Sequence, residues 1–478
     1  MYKPDSRKAD EFINASEIEE TVLYARGHSS DRELLESILK KAEEGHGLNH
    51  REAAALLECR LPDINSRIFS LAKEIKQKLY SNRIVIFAPL YLSNYCVNSC
   101  TYCPYHAQNR TMPRKRLSQE EIAAEVTALQ DMGHKRLAVE SGEDPVHSPI
   151  EYILESLQTI YSVKHRNGAI RRANVNIAAT TVDNYRKLHD AGIGTYILFQ
   201  ETYDRESYGR LHPRGPKSDY LWHTEAMDRA LEGGVDDVGI GGLFGLSGYL
   251  REFTGLLMHA EHLEALHGTG PHTISVPRLC PADGIDTATF KDALPDEIFL
   301  KIVAMIRISV PYTGMIISTR ESKTVREKVL ELGISQISGG SSTGVGGYST
   351  DKDGHTEQFD VSDHRSLDEI IGWLTELGYI PSFCTACYRL GRTGERFMSI
   401  VKSGGIGQFC TPNALLTLKE YLTDYASEAT RKTGLEQIRY ETDKIIRESD
   451  GNAAREAIAA KLVSSLRLIE KGERDFRF

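Results

Sequence analysis

The sequence predicts an α/β protein: a (β/α)8 barrel preceded by a layer of helices and followed by a helical, cysteine-bearing segment. Three observations carry that reading. Residues 1 to about 80 hold apolar side chains at helical spacing, from residue 84 short apolar runs alternate with longer amphipathic segments, and beyond Gly346 the alternation stops. A chain of 478 residues can bury a large core. The expected organisation is a helical layer over 1–83, a barrel over 84–347 and a C-terminal domain over 348–478.

Each element has a local cause. In the N-terminal layer, 31–44, 49–58 and 63–80 carry apolar residues at helical spacing, with Asp63 after Pro62 as the expected N-cap. Strands are expected over 84–92, 136–140, 174–178, 196–200, 237–243, 273–278, 315–319 and 334–338. Helices are expected over 118–132, 150–165, 182–191, 219–232, 250–266, 296–309 and 322–332, and Ser118 with Glu121 makes a capping box. Eight strands, each but the last followed by a helix, count out a closed barrel; an open doubly wound sheet usually has fewer. Residues 349–364 read as a polar loop, then 366–377, 414–425, 435–447 and 453–470 as helices.

Composition excludes several classes. A formal net charge of −9 lacks the basic footprint of a nucleic-acid binder. No apolar run approaches the ~18–20 residues of a membrane span. The opening residues, Met1 to Lys8, lack the apolar core of a signal peptide, so a cytoplasmic protein is expected. Six of the eight cysteines fall in two triplets. In a large cytosolic chain such clustering points to metal rather than disulfides.

The first triplet, Cys96, Cys100 and Cys103, follows the first strand with spacing C-x3-C-x2-C. Thiolates are soft ligands that favour zinc or iron–sulfur clusters, and both ordinarily take four protein ligands. Three cysteines leave one iron position open to a substrate or cofactor, unless His106 completes a Cys3His zinc knuckle. The second triplet, Cys384, Cys387 and Cys410, reads C-x2-C-x22-C and is again one ligand short. Zinc is the alternative there too.

Barrel active sites form at the C-terminal ends of strands. The second strand ends Glu140-Ser141-Gly142-Glu143-Asp144-Pro145, either a capped turn or a small–Gly–acid run that grips an ammonium. The fourth turns abruptly polar at Gln200-Glu201. Glycines in the fifth, Gly241 among them, suit a cofactor lying flat against the barrel interior, and no P-loop lysine accompanies them. Arg278 and Arg320 end the sixth and seventh strands, as clamps for a carboxylate or as structural ion-pair partners. The glycine- and hydroxyl-rich stretch 339–348 suits a loop enclosing a small polar substrate.

The first triplet, with aromatic Tyr102 before its last cysteine, resembles the radical S-adenosylmethionine (SAM) enzymes, in which SAM caps the open iron. From about Asn65 onward the chain resembles the HydG family of radical-SAM tyrosine lyases, the maturases of FeFe-hydrogenase. That likeness rests on the first triplet, residues 270–278, Ser318-Thr319-Arg320-Glu321 and residues 384–413. Pro104, where relatives often have Gly, and Cys280 depart from the pattern.

The resemblance implies a TIM barrel of radical-SAM type. It implies that Cys96, Cys100 and Cys103 ligate a 4Fe–4S cluster, that Glu143 holds the methionine amino group of SAM, and that Tyr102, Glu201 and Gly241 also contact the cofactor. Glu201, Arg278 and Arg320 are the implied catalytic residues. The implied reaction takes hydrogen from the amino group of L-tyrosine and yields p-cresol and dehydroglycine. Dehydroglycine then becomes carbon monoxide and cyanide at a second iron–sulfur cluster on Cys384, Cys387 and Cys410, with an additional iron held partly by His272 and by free cysteine. An electron donor and other hydrogenase maturation proteins are the implied partners. Two alternatives stand beside this reading. One is the tyrosine lyase of thiamine thiazole synthesis (2-iminoacetate synthase), which shares the barrel but lacks the C-terminal triplet. The other is a non-catalytic iron–sulfur scaffold, which has no use for the strand-end acids and arginines.

Overall fold

The protein, a computed structural model, is described over residues 1–349, 356–402 and 405–478. Part of the expected 349–364 loop therefore lies outside the described residues. Eight parallel strands form the barrel: β1 Arg83–Ser93, β2 Arg136–Ser141, β3 Arg172–Asn176, β4 Tyr196–Ile197, β5 Val238–Gly241, β6 Thr273–Ser275, β7 Gly314–Ile317 and β8 Gln336–Ser338. They pair in chain order, and β8 closes on β1 with Val85 opposite Gln336 and Phe87 opposite Ser338. Several are shorter than the apolar runs. The residues past their C-terminal ends, such as Phe199, Pro277 and Arg320, leave the ladder and line the mouth.

Side chains alternate along a strand, and each strand's inward set therefore spans the barrel. On β1, Val85, Phe87, Pro89 and Tyr91 face inward, while Ile84, Ile86, Ala88 and Leu90 are fully buried outside the barrel. On β2 the inward column is Arg136, Ala138 and Glu140, which puts a cation at the N-terminal mouth and a carboxyl at the C-terminal one.

The helices follow their sequence signals closely. Gln119–Asp131 begins with the Ser118–Glu121 capping box. Pro62 and not Asp63 opens its helix: Leu61 is the N-cap, Pro62 holds the first turn where no N–H is needed, and Asp63 sits inside it. The stretch 219–232 is two helices, Tyr220–Thr224 and Ala226–Glu232. Among the described residues no helix is long and apolar enough to cross a membrane.

The segment beyond 348 lends the barrel one more strand. β9, Ile380–Ser382, pairs parallel with the start of β1, Arg83 opposite Ile380 and Val85 opposite Ser382. Pro381 hides this strand from a sequence reading, and it is tolerated because β9 is an edge strand with β1 as its partner. Helices Gly407–Asp424, Glu428–Ser449 and Ala453–Glu470 pack beyond it. They are tied to the base of the barrel by the buried pair of Lys135 with Glu420, which Arg171 joins at 3.1 Å.

Candidate functional site: two cysteine cavities in one barrel

The C-terminal mouth is a cavity of about 1080 Å³, open to solvent, with Cys96, Cys100 and Cys103 on its wall. Its cysteine loop is shaped by backbone capture. Arg114 donates to the carbonyls of Asn94, Tyr105, His106 and Asn109 at 2.6–3.1 Å, and buried Asn94 ties Pro113 and Lys115 to the loop's start. The end of β2 reaches the loop because Gly142 has no side chain: a Cβ there would lie 2.3 Å from the Tyr95 carbonyl oxygen.

Burial pushes all three thiols up, Cys100 to about 12, with Lys217 opposing the shift at Cys100. Such thiols ionise only when a cation replaces the proton. Around a single zinc ion, thiolates sit about 3.8 Å apart, given Zn–S bonds of about 2.3 Å. Among the described residues only Asp228, His262 and His267, at a separate site, bring three ligand atoms within 4.8 Å of one another. The three thiols are not gathered as closely as that group. His106 is on the exposed side of the loop, its Nδ1 3.3 Å from Gln108 Oε1, and does not line the cavity.

Around the thiols stand the groups expected at this mouth. Glu143 accepts from Asn98 Nδ2 at 2.6 Å, and burial raises its carboxyl above the usual range, with Asn98 and Lys217 opposing. Glu201 lines the cavity with a left-handed backbone, φ +66°, and pairs with Lys217 at 2.7 Å. Tyr102 donates to His212 Nε2 at 2.8 Å. Burial holds His212 neutral, down to about 3, and its Nδ1 donates to the Tyr208 carbonyl at 2.8 Å. Arg320 lies over the Phe359 ring, 3.6 Å from its centroid, and pairs with no carboxylate among the described residues. A half-buried guanidinium in that state is a receptor for a carboxylate.

Three expectations for this mouth are corrected. Arg278 points away from the cavity. It forms a fork with Glu321, donates to Asp296 at 2.7 Å and to the Leu294 carbonyl at 2.9 Å, and so is a structural ion-pair partner. Gly241 does not line the cavity: a Cβ on it would meet the Phe199 ring at 2.8 Å and the Ser275 carbonyl at 2.9 Å, so its smallness serves barrel packing. The 339–348 loop supports rather than encloses. Its Thr343 holds the segment carrying Gln358 and Phe359, through Gln358 N at 3.1 Å and the Phe359 carbonyl at 2.9 Å, and those two residues cover the cavity.

The second triplet lies at the opposite, N-terminal mouth, in a cavity of about 700 Å³ that His272 also lines. β9 leads directly to Cys384, and Gly407–Asp424 carries Cys410. His272 immediately precedes β6, its N–H donating to Val238 O at 2.8 Å, and its Nδ1 lies 3.1 Å from Asp237 Oδ1. Burial pushes Asp237 up, but His272, Tyr388 and Arg172 hold it down, at about 2. The walls carry Arg83, Arg136 and Arg172, the first residues of β1, β2 and β3. Burial pushes Arg83 to about 10, and Arg136, beside Arg172, to about 9. Nε of Arg136 and Nε of Arg392 are buried without a hydrogen bond. Burial raises the Cys384 and Cys387 thiols, and the same arginines oppose it. Cationic walls with unsatisfied donors fit an anionic, thiolate-ligated cluster.

Comparison with known proteins follows the same lines. Residues 90–276 match the radical SAM superfamily and 275–380 the biotin and thiamin synthesis associated domain. A crystal structure of HydG, a maturase of the [FeFe]-hydrogenase, superposes with a TM-score of 0.93 at 52% identity, covering 98% of this chain and all of that one. HydG from Carboxydothermus hydrogenoformans gives 0.82 at 38% identity, covering 96% of this chain and all of that one. The chain belongs to the HydG maturases of the radical SAM superfamily. It is also 30% identical to 2-iminoacetate synthase of Escherichia coli (strain K12) over 362 residues, 75% of this chain and 93% of that protein. Membership brings SAM and a 4Fe–4S cluster, and the C-terminal mouth has the thiols and carboxyl to hold them.

Sequence reasoning missed Asn98, Lys217 and Glu140 at one mouth, and Asp237, Tyr388 and the arginines at the other. Arginine opening three successive barrel strands was a readable signal. The pairing of Lys217 with Glu201 was not.

Proposed function

We infer that this protein is a radical-SAM lyase that cleaves L-tyrosine to p-cresol and dehydroglycine and makes carbon monoxide and cyanide for FeFe-hydrogenase maturation. The observation that carries it is a pair of thiol-lined cavities at opposite mouths of one barrel, one acid- and carboxylate-receptive, the other cationic. Bound at the cluster that Cys96, Cys100 and Cys103 would hold, SAM would supply the radical chemistry that starts at the substrate amino group.

The residues do the rest by placement. Cys96, Cys100 and Cys103 hold the first cluster and Glu143 the methionine ammonium, with Asn98 fixing the carboxylate's angle. Tyr102 and the Glu201–Lys217 pair wall the cofactor side. Arg320 takes the tyrosine carboxylate as a fork, and the apolar walls, with Leu198, Phe199, Leu243 and Phe359, exclude water and stray hydrogen donors from a radical. Cys384, Cys387 and Cys410 hold a second iron–sulfur cluster at the N-terminal mouth, with His272 as ligand to an additional iron and Asp237 orienting that ring. That mouth is where dehydroglycine becomes carbon monoxide and cyanide. An electron donor and the other hydrogenase maturation proteins are its partners.

The thiamine-type lyase reading ends at tyrosine cleavage and leaves the arginine-walled mouth without a task. The test is anaerobic reconstitution with iron, sulfide, SAM, tyrosine and dithionite. 5′-Deoxyadenosine, p-cresol and carbon monoxide together are the expected products. p-Cresol without carbon monoxide would favour the thiamine-type activity, and no 5′-deoxyadenosine would leave only a scaffold.

A further inference from the structure

Glu140 is the carboxyl that the arrangement above leaves without a task. It is the last inward-facing residue of β2, and it lines both the C-terminal mouth and the barrel interior beneath it. Among the described residues it forms no ion pair, and Arg320, Asn176 and Glu201 stand around it from the ends of β7, β3 and β4. Tyr91 and Tyr105 face it from β1 and the cysteine loop. Glu143, three residues on, faces Asn98 at the cofactor side, so the two acids serve different parts of one cavity.

We propose that Glu140 is the general base that takes a proton from the α-ammonium of bound tyrosine. The proposal rests on the tyrosine-lyase reading. An amino acid's carboxylate and ammonium share one carbon, so a substrate gripped by Arg320 presents its ammonium to a carboxyl that lines the same cavity. The N–H bond breaks heterolytically: the proton goes to a Glu140 oxygen, the electron pair stays on nitrogen, and ammonium plus carboxylate become amine plus carboxylic acid. Two charges become none, which a desolvated cavity favours. The neutral amine is the form from which a hydrogen atom can be removed without leaving a cation beside the Arg320 guanidinium. The proton on Glu140 returns to water through the open mouth once product has left.

Electrostatics agree with the geometry. Burial raises the Glu140 carboxyl to about 8, Arg320 and Asn176 oppose the shift, and Glu201 adds to it. A base titrating near working pH is the effective kind. Below about 8 the empty site holds it neutral, and above it ionised, so p-cresol formation should climb with pH through that region.

The experiment compares reconstituted wild type with Glu140→Gln and Glu140→Asp, following p-cresol from tyrosine across pH 6.5 to 9, roughly the range over which a base of this kind titrates. Glu140→Gln should lower kcat about 10²–10³-fold with a smaller change in tyrosine KM, and should flatten the rise with pH. Glu140→Asp should restore part of kcat and the pH dependence, and it carries the test alone if the Gln variant does not fold. A normal kcat, a raised KM with kcat intact, or a lowered kcat with the wild-type pH profile would each overturn the base role. Wild type that cleaves SAM yet makes no p-cresol would instead bring down the lyase reading itself.

Discussion

The two mouths of the barrel each hold a cysteine triplet, with Cys280 as a fourth cysteine on the wall of the C-terminal one, and they solve opposite electrostatic problems. At the C-terminal mouth, carboxyls (Glu140, Glu143 and Glu201) outnumber the cations Lys217 and Arg320. At the N-terminal mouth, three strand-opening arginines surround the thiols, and Asp237 answers them through His272 and Tyr388. The difference teaches what each cavity is shaped to accept. The first suits a zwitterionic amino acid and a sulfonium with its own ammonium. The second suits a compact anionic cluster and anionic small products. Strand alternation makes the division cheap, because one column of inward residues on β2 supplies Arg136 to one mouth and Glu140 to the other.

The largest test of the comparison removes one mouth's metal at a time. Cys100→Ala should abolish 5′-deoxyadenosine, p-cresol and carbon monoxide together, because everything begins at the first cluster. SAM cleavage near the wild-type rate in that variant would take the first triplet out of the mechanism. Cys384→Ala with Cys387→Ala should abolish carbon monoxide while p-cresol persists at a reduced level, the C-terminal helices being packed against the barrel base. If carbon monoxide survives with no iron bound there, the mouths do not divide the work as described.

Smaller effects sharpen the roles of the two strand-end arginines. Arg320→Lys keeps the charge and loses the fork, so tyrosine KM should rise about tenfold, the equivalent of about 1.4 kcal/mol. An unchanged KM would move the carboxylate clamp elsewhere. Arg278→Ala leaves Glu321, 4% exposed, without its partner. It should cost about 3 kcal/mol of stability, read as a lower thermal midpoint, with tyrosine KM unmoved. A KM effect without a stability loss would return Arg278 to the substrate site.

By itself the sequence determined the barrel, the two thiol triplets and the family. Strand alternation is written in apolar runs, and metal ligands are written in residue type and short spacing, both of which are local. The capping box at Ser118 was legible for the same reason. Tertiary structure alone decided which mouth each group faces. Arg278 and Arg320 end neighbouring strands and look alike in one dimension, yet a fork with Glu321 takes one out of the cavity, while stacking on Phe359 leaves the other free to bind. Gly241 read as room for a cofactor and is room for the Phe199 ring, because only the register of β4 against β5 sets that ring beside it. The placement of the second triplet depended on β9, a three-residue edge strand carrying a proline, whose pairing with β1 spans about three hundred residues of chain. Its partners are distant in sequence, and only folding brings them together.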